Sequence, residues 1–184
     1  QCKSDSLVGI TAAEGAGLST LKALLTREVV PERGVIRIGG MDIARIDPEV
    51  LAYSVVMLDH PDDDSAETVA DWLFIESGIQ ASTLEYHLTG MRSGHWIEQL
   101  PHRLKSPVGS LYALAGPHGL NRLKLARALS RNGQIIWLDN WLVGLTKETR
   151  DHVIQSMLDR TGTRFLVDRN RLLGKSDYVK WNIA

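Results

Sequence analysis

Short, continuous apolar runs recur along the chain: Leu7-Val8-Gly9-Ile10, Val55-Val56-Met57-Leu58, Gln134 to Leu138 and Arg164 to Val167. A strand without polar alternation has apolar neighbours on both faces, so it belongs inside a sheet covered on each side. Between these runs the apolar residues fall at helical spacing. Leu21, Leu24 and Leu25 do so within Ser19–Leu25, Leu123, Leu125, Ala126 and Leu129 within Asn121–Ser130, and Val153, Ile154, Met157 and Leu158 within Thr146–Arg160. Apolar strands alternating with helices predict an α/β domain with a mostly parallel sheet. Tyr178 to Trp181 is a candidate for one more strand, and Val35-Ile36-Arg37-Ile38 alternates like a half-buried one. Asp47-Pro48 predicts a helix start, with Asp47 as N-cap and Pro48 in the first helical position. Helix is also expected over Thr68–Phe74 and between Ala81 and Gln99, a block that reads as a subdomain inserted into the α/β core.

Composition narrows the function classes. A chain of 184 residues, 43% hydrophobic and 23% charged, suits one domain, two at most, with a buried core. Lys plus Arg number 21 against 22 Asp plus Glu, so nothing points to a nucleic-acid footprint or a polybasic membrane anchor. No apolar run approaches the ~18 residues of a membrane-spanning helix. The single Cys2 excludes an internal disulfide framework and a cysteine-based metal site, and fits a reduced, cytosolic setting. The six histidines show no metal-ligand spacing, and Asp62-Asp63-Asp64 reads as a solvated acidic loop. No signal peptide is expected from the opening residues; the chain begins with Gln1, and is expected to be a piece of something longer.

The first apolar run enters a loop of small residues, Thr11-Ala12-Ala13-Glu14-Gly15-Ala16-Gly17, and then a helix. Strand, glycine loop, helix is the local plan of a phosphate-binding loop. Gly15 and Gly17 allow the backbone to curl and aim N–H groups at an anion.

Further stations follow in order. Pro31, Gly34, Ile36, Ile38 and Gly40 form a P-x-x-G-x-I-x-I-x-G stretch before Asp42-Ile43. Leu100-Pro101 and Pro107-Val108-Gly109 come later, then Leu123-Lys124-Leu125-Ala126-Arg127-Ala128-Leu129 and an apolar strand ending in Asp139. Together these resemble the nucleotide-binding domain of ATP-binding cassette (ABC) transporters, in the exporter branch that includes type I secretion. The resemblance covers nearly the whole chain. It implies a P-loop NTPase-like, mostly parallel sheet flanked by helices, with 1–66 and 122–184 as α/β core and 67–121 as helical subdomain and signature loop. It also implies ATP and Mg²⁺ as ligands, and a transmembrane domain and a second nucleotide-binding domain as partners, at the cytoplasmic face of a membrane. The family's antiparallel strands before the phosphate loop, with their adenine-stacking aromatic residue, are expected to be missing here.

The catalytic stations depart from the family pattern. In the phosphate loop Gly15, Gly17, Ser19 and Thr20 match, Ser19 being the residue expected to hold Mg²⁺, but Leu18 stands where the family has the lysine that reaches the phosphates. Removing one partner of a close charge pair costs roughly 2–5 kcal/mol, and Glu14 adds a negative charge nearby. His60 replaces the Mg²⁺-coordinating glutamine, a poor exchange because Mg²⁺ prefers oxygen. The signature loop falls on Ala115-Gly116-Pro117-His118-Gly119, of which Gly116 and Gly119 are kept as vestigial nucleotide contacts. Its serine is gone, and Pro117 lacks a backbone donor. Asp139 remains for water-mediated Mg²⁺ contact, but the following general base is Asn140, which cannot take a proton at neutral pH. Thr146 ends the next loop in place of Asp, and Arg169 replaces the family's histidine. His60 and His118 are expected to be exposed loop residues, and Trp137 core. Trp141 either fills part of a vacated nucleotide site or packs ordinarily. Phosphoryl transfer needs positioning and charge neutralisation together, so the expectation is a cassette fold with its chemistry lost, acting as a structural or regulatory partner. Ser19, Thr20 and Asp139 keep open an ATP-binding, weakly or asymmetrically active ATPase, and a binding module unconnected with transport is a third reading.

Overall fold

The computed structural model describes residues 5–12, 15–58, 66–74 and 79–167, and the backbone of 179–183. His60, Glu14, Asp62-Asp63-Asp64 and Arg169 lie outside the described residues. The chain divides into two compact units. One comprises Gln1–Met57, Gly133–Asn140 and Arg160–Ala184, the other Leu58–Asn132 and Trp141–Asp159.

The first unit carries the sheet. Its strands are β1 (Leu7–Ala12), β4 (Val55–Leu58), β5 (Ile135–Asp139), β6 (Thr163–Val167) and β7 (Val179–Ile183), in the spatial order β4-β5-β6-β1-β7. A separate hairpin pairs β2 (Arg37–Ile38) with β3 (Met41–Asp42). β1 runs parallel to both neighbours, β6 and β7, and β5 runs parallel to β6. The continuous apolar runs behave as their pattern requires: Val8, Ile10, Ile136, Trp137, Leu138, Leu166 and Val167 are all buried. Helices α1 (Leu18–Leu25) and α2 (Pro48–Ser54) supply Leu18, Leu25 and Leu51 to the same core, where Trp137 and Phe165 lie ring to ring at 5.1 Å. Asp47 caps α2 as expected, its carboxylate accepting from the Glu49 and Val50 N–H groups.

The strand expected over Val35–Ile38 is shorter. Gly39 and Gly40, both with positive φ, turn the chain back on itself, so only Arg37 and Ile38 find ladder partners. Arg164 is a charged residue within an apparently apolar run. It is buried, and its guanidinium donates to the carbonyls of Arg160 and Asp5. Burial lowers its pKa from the ordinary value, partly offset by the Asp5 charge.

The second unit is helical: α3 (Val69–Phe74), α4 (Ala81–Gly90), α5 (Gly94–Gln99), α6 (Val108–Ser130) and α7 (Lys147–Asp159). Its core gathers Val69, Trp72, Leu73, Leu84, Ile97, Leu100, Leu111 and Leu123. The unit takes in more chain than the expected 67–121, and Leu123, beyond that boundary, packs in its core. Thr68 and Asp71 cap the start of α3 reciprocally: the Asp71 carboxylate accepts from the Thr68 N–H, and the Thr68 hydroxyl accepts from the Asp71 N–H. The Arg127 guanidinium lies 5.3 Å from the centre of the Trp72 ring. No helix among the described residues is long and apolar enough to cross a membrane.

Candidate functional site

The phosphate-type loop leaves β1 and closes at Gly17, the N-cap of α1. Gly15 and Gly17 hold φ of 81° and 80°, a left-handed conformation that strains a residue with a side chain. Nothing lies within 4 Å of the place a Cβ would take on either, so conformation rather than crowding calls for glycine. Ser19 and Thr20 are exposed in the first turn of α1. Leu18 does the opposite. It is only 5% exposed and belongs to the core cluster with Leu25, Ile43 and Leu51. Where the resemblance implies an ammonium reaching for phosphate, this chain has a hydrophobic anchor.

A lysine does serve this site, one helical turn further on. Lys22 Nζ lies 3.4 Å from Asp139 Oδ2, and the two side chains are 15% and 10% exposed. Sequence reasoning missed Lys22. The only signal is its spacing four residues after Leu18, which places both on the same face of α1. Asp139 ends β5, and Asn140 follows in a left-handed conformation (φ 62°), its N–H donating to the Val167 carbonyl at 3.0 Å. The Asn140 side chain is exposed, and a carboxamide offers no proton-accepting carboxylate there.

Mg²⁺ fits this arrangement poorly. Ser19 presents a hydroxyl, but the Asp139 carboxylate already holds the Lys22 ammonium, so a divalent ion would meet a cation in the place it should occupy. Among the described residues no group of three or more His, Cys, Asp or Glu is arranged to hold a metal ion.

In the helical unit, Gly116 (φ 62°, ψ −179°) breaks α6, and Pro117 opens the stretch after the break. There its missing N–H costs no helical hydrogen bond. His118 is exposed, but on a helix rather than in a loop. Gly119 is buried within the helix. A Cβ there would come within 2.8 Å of both Ala115 Cβ and the Trp96 ring, so this glycine makes room for packing. Trp137 is fully buried, and Trp141 is half-buried, its indole N–H donating to the Leu58 carbonyl at 2.5 Å.

The same unit holds a histidine pair that sequence spacing does not reveal, since 65 residues separate the two. His87 Nδ1 and His152 Nε2 are 3.2 Å apart, and the Tyr86 ring centre lies 5.1 Å from each imidazole. The pair needs a proton on one nitrogen and none on the other. Burial lowers the His152 pKa below its ordinary value of 6.5. Gly90 makes the approach possible: a Cβ there would stand 2.2 Å from the His152 ring.

A parallel sheet whose first strand runs through left-handed glycines into a helix, with an acidic residue ending a neighbouring strand, defines a domain of the P-loop nucleotide-binding class. The profile of the ABC transporter family matches residues 1–143. The chain is 29% identical over 187 residues to the ABC transporter ATP-binding protein RamA of Streptomyces coelicolor, covering 96% of this chain and 28% of that one. It is 27% identical over 162 residues to the alpha-hemolysin translocation ATP-binding protein HlyB of Escherichia coli, covering 84% and 22%. A structure of a bacterial Atm1-family ABC exporter with ATP bound superposes with a TM-score of 0.76 at 22% identity, over 98% of this chain and 32% of that one. The chain therefore belongs to the ABC transporter family, as an ATP-binding domain of the exporter type. It spans about a quarter of the length of the curated relatives it matches.

Proposed function

We propose that this chain is a cassette domain that no longer hydrolyses ATP and serves as a structural or regulatory partner. Its partners would be the transmembrane domain of an exporter and a second nucleotide-binding domain, at the cytoplasmic face of a membrane. The observation that carries this reading is the residue after Asp139: an exposed carboxamide, Asn140, stands where water activation requires a base. Leu18 supports it, because its side chain contributes to the core and not to charge neutralisation at the loop. The names of the relatives, translocation ATP-binding proteins among them, support the export setting. Steady-state phosphate release from Mg-ATP tests the reading. The expected rate is that of the buffer; sustained release above it, abolished by Asp139→Ala, would refute the proposal.

A second reading, an ATP-binding domain of weak or asymmetric activity, is favoured by the left-handed Gly15 and Gly17 and by the exposed Ser19 and Thr20. It predicts slow phosphate release that rises when a competent partner domain is added.

A further inference from the structure

The Lys22–Asp139 pair has a consequence for what this loop takes. The pair ties the phosphate-loop helix to the end of β5 across 117 residues of sequence, with both side chains largely withdrawn from water. In an Mg²⁺-dependent site the aspartate must face a hydrated divalent ion. Here it faces an ammonium, contributed by α1. An ammonium carries three donors and can serve a carboxylate and a phosphate oxygen at once, which a metal would otherwise do from this position. Leu18, on the same helix face, competes for neither.

We infer that Lys22 replaces the divalent cation at Asp139, making this a site that binds the polyphosphate of a nucleoside triphosphate without requiring Mg²⁺. The inference rests on the nucleotide-type site read above, but not on the loss of hydrolysis. The charge count is consistent with it. The exchange of lysine for leucine at 18 removes one positive charge beside the loop, and adding Mg²⁺ next to Lys22 would recover charge only by setting two cations against each other.

Calorimetric binding of ATP to the whole chain, in EDTA and in excess MgCl₂, tests it. The wild-type affinity is expected to agree within about twofold between the two buffers. Lys22→Gln is expected to weaken binding in EDTA about tenfold or more and to regain most of it in MgCl₂, because the substitution vacates the cation place at Asp139. Lys22→Arg restores metal-free binding. Asp139→Asn, which releases the ammonium to the phosphates, binds ATP in EDTA at least as tightly as wild type. This variant also serves if Lys22→Gln proves unfolded by circular dichroism. Wild-type binding that requires Mg²⁺, a Lys22→Gln variant with wild-type affinity in EDTA, or a weakened Asp139→Asn would each overturn the inference. Absence of ATP binding in both buffers overturns it too, while the silent-domain reading stands; sustained phosphate release from Mg-ATP does the converse.

Discussion

Leu18 and Lys22, one helical turn apart on α1, have separate tasks. Leu18 secures the start of α1 to the core, and Lys22 holds the acidic end of β5. Truncating the anchor should therefore be costly although the position lies at a ligand loop. Leu18→Ala is expected to lower stability by about 2–5 kcal/mol, the range for large-to-small changes in a packed core, measured by urea denaturation. A loss under about 0.5 kcal/mol would mean the side chain is not part of the core. The sequence makes the missing lysine plain, since it is a local comparison at one position. It does not reveal that Lys22 reaches Asp139, because that pairing depends on how two parts of the chain distant in sequence meet in the folded sheet.

Among the elements, those with local signals were the most legible. Asp47-Pro48 carries its own cap and so specifies the start of α2. By contrast, the break in α6 at Gly116 and the buried Gly119 read in the sequence as one loop, because glycine signals conformational freedom in one case and close approach in the other. The contact of α4 with α7 at the histidine pair had no sequence signal at all and gives two predictions. Gly90→Ala forces the His152 ring aside and is expected to cost about 1–3 kcal/mol. In the double variant with His152→Ala the loss should be clearly smaller than the sum of the single losses, as a thermal-denaturation cycle would reveal.

The second concerns pH. His152 has a folded-state pKa below its unfolded value of about 6.5, so the unfolded chain takes up the proton first. Its contribution is intact above that value and is lost as pH falls from there through the folded pKa. The wild-type denaturation midpoint should accordingly fall more steeply below pH ~6.5 than that of His152→Ala. Parallel profiles would exclude the imidazole as the source.

At the scale of the whole molecule, the near balance of 21 basic and 22 acidic residues gives no field that would draw a polyanion to the chain. On the nucleotide-binding reading, selectivity for phosphate has to come from the loop itself. Association driven by nucleotide would need a signature loop able to close over the partner's ligand, and here Gly119 is packed against Trp96. Light scattering on a sizing column is therefore expected to give the same mass with and without Mg-ATP; an increase on adding Mg-ATP would favour the weakly active reading. The α/β class was legible at this scale because a fully apolar strand admits few surroundings. The order β4-β5-β6-β1-β7 was not, since no single strand carries a label for its neighbours.

That order also bears on how the chain is made. β1, the earliest of the described strands, lies between β6 and β7, the two latest. On a ribosome the strand that leads into the glycine loop must wait for its neighbours until β6 and β7, far along the sequence, have emerged. Until then both of its edges are open to other nascent chains. A message truncated before β6 would yield a fragment whose first strand has neither neighbour, so quality control, rather than the loop's ligand, would be the first thing to meet it.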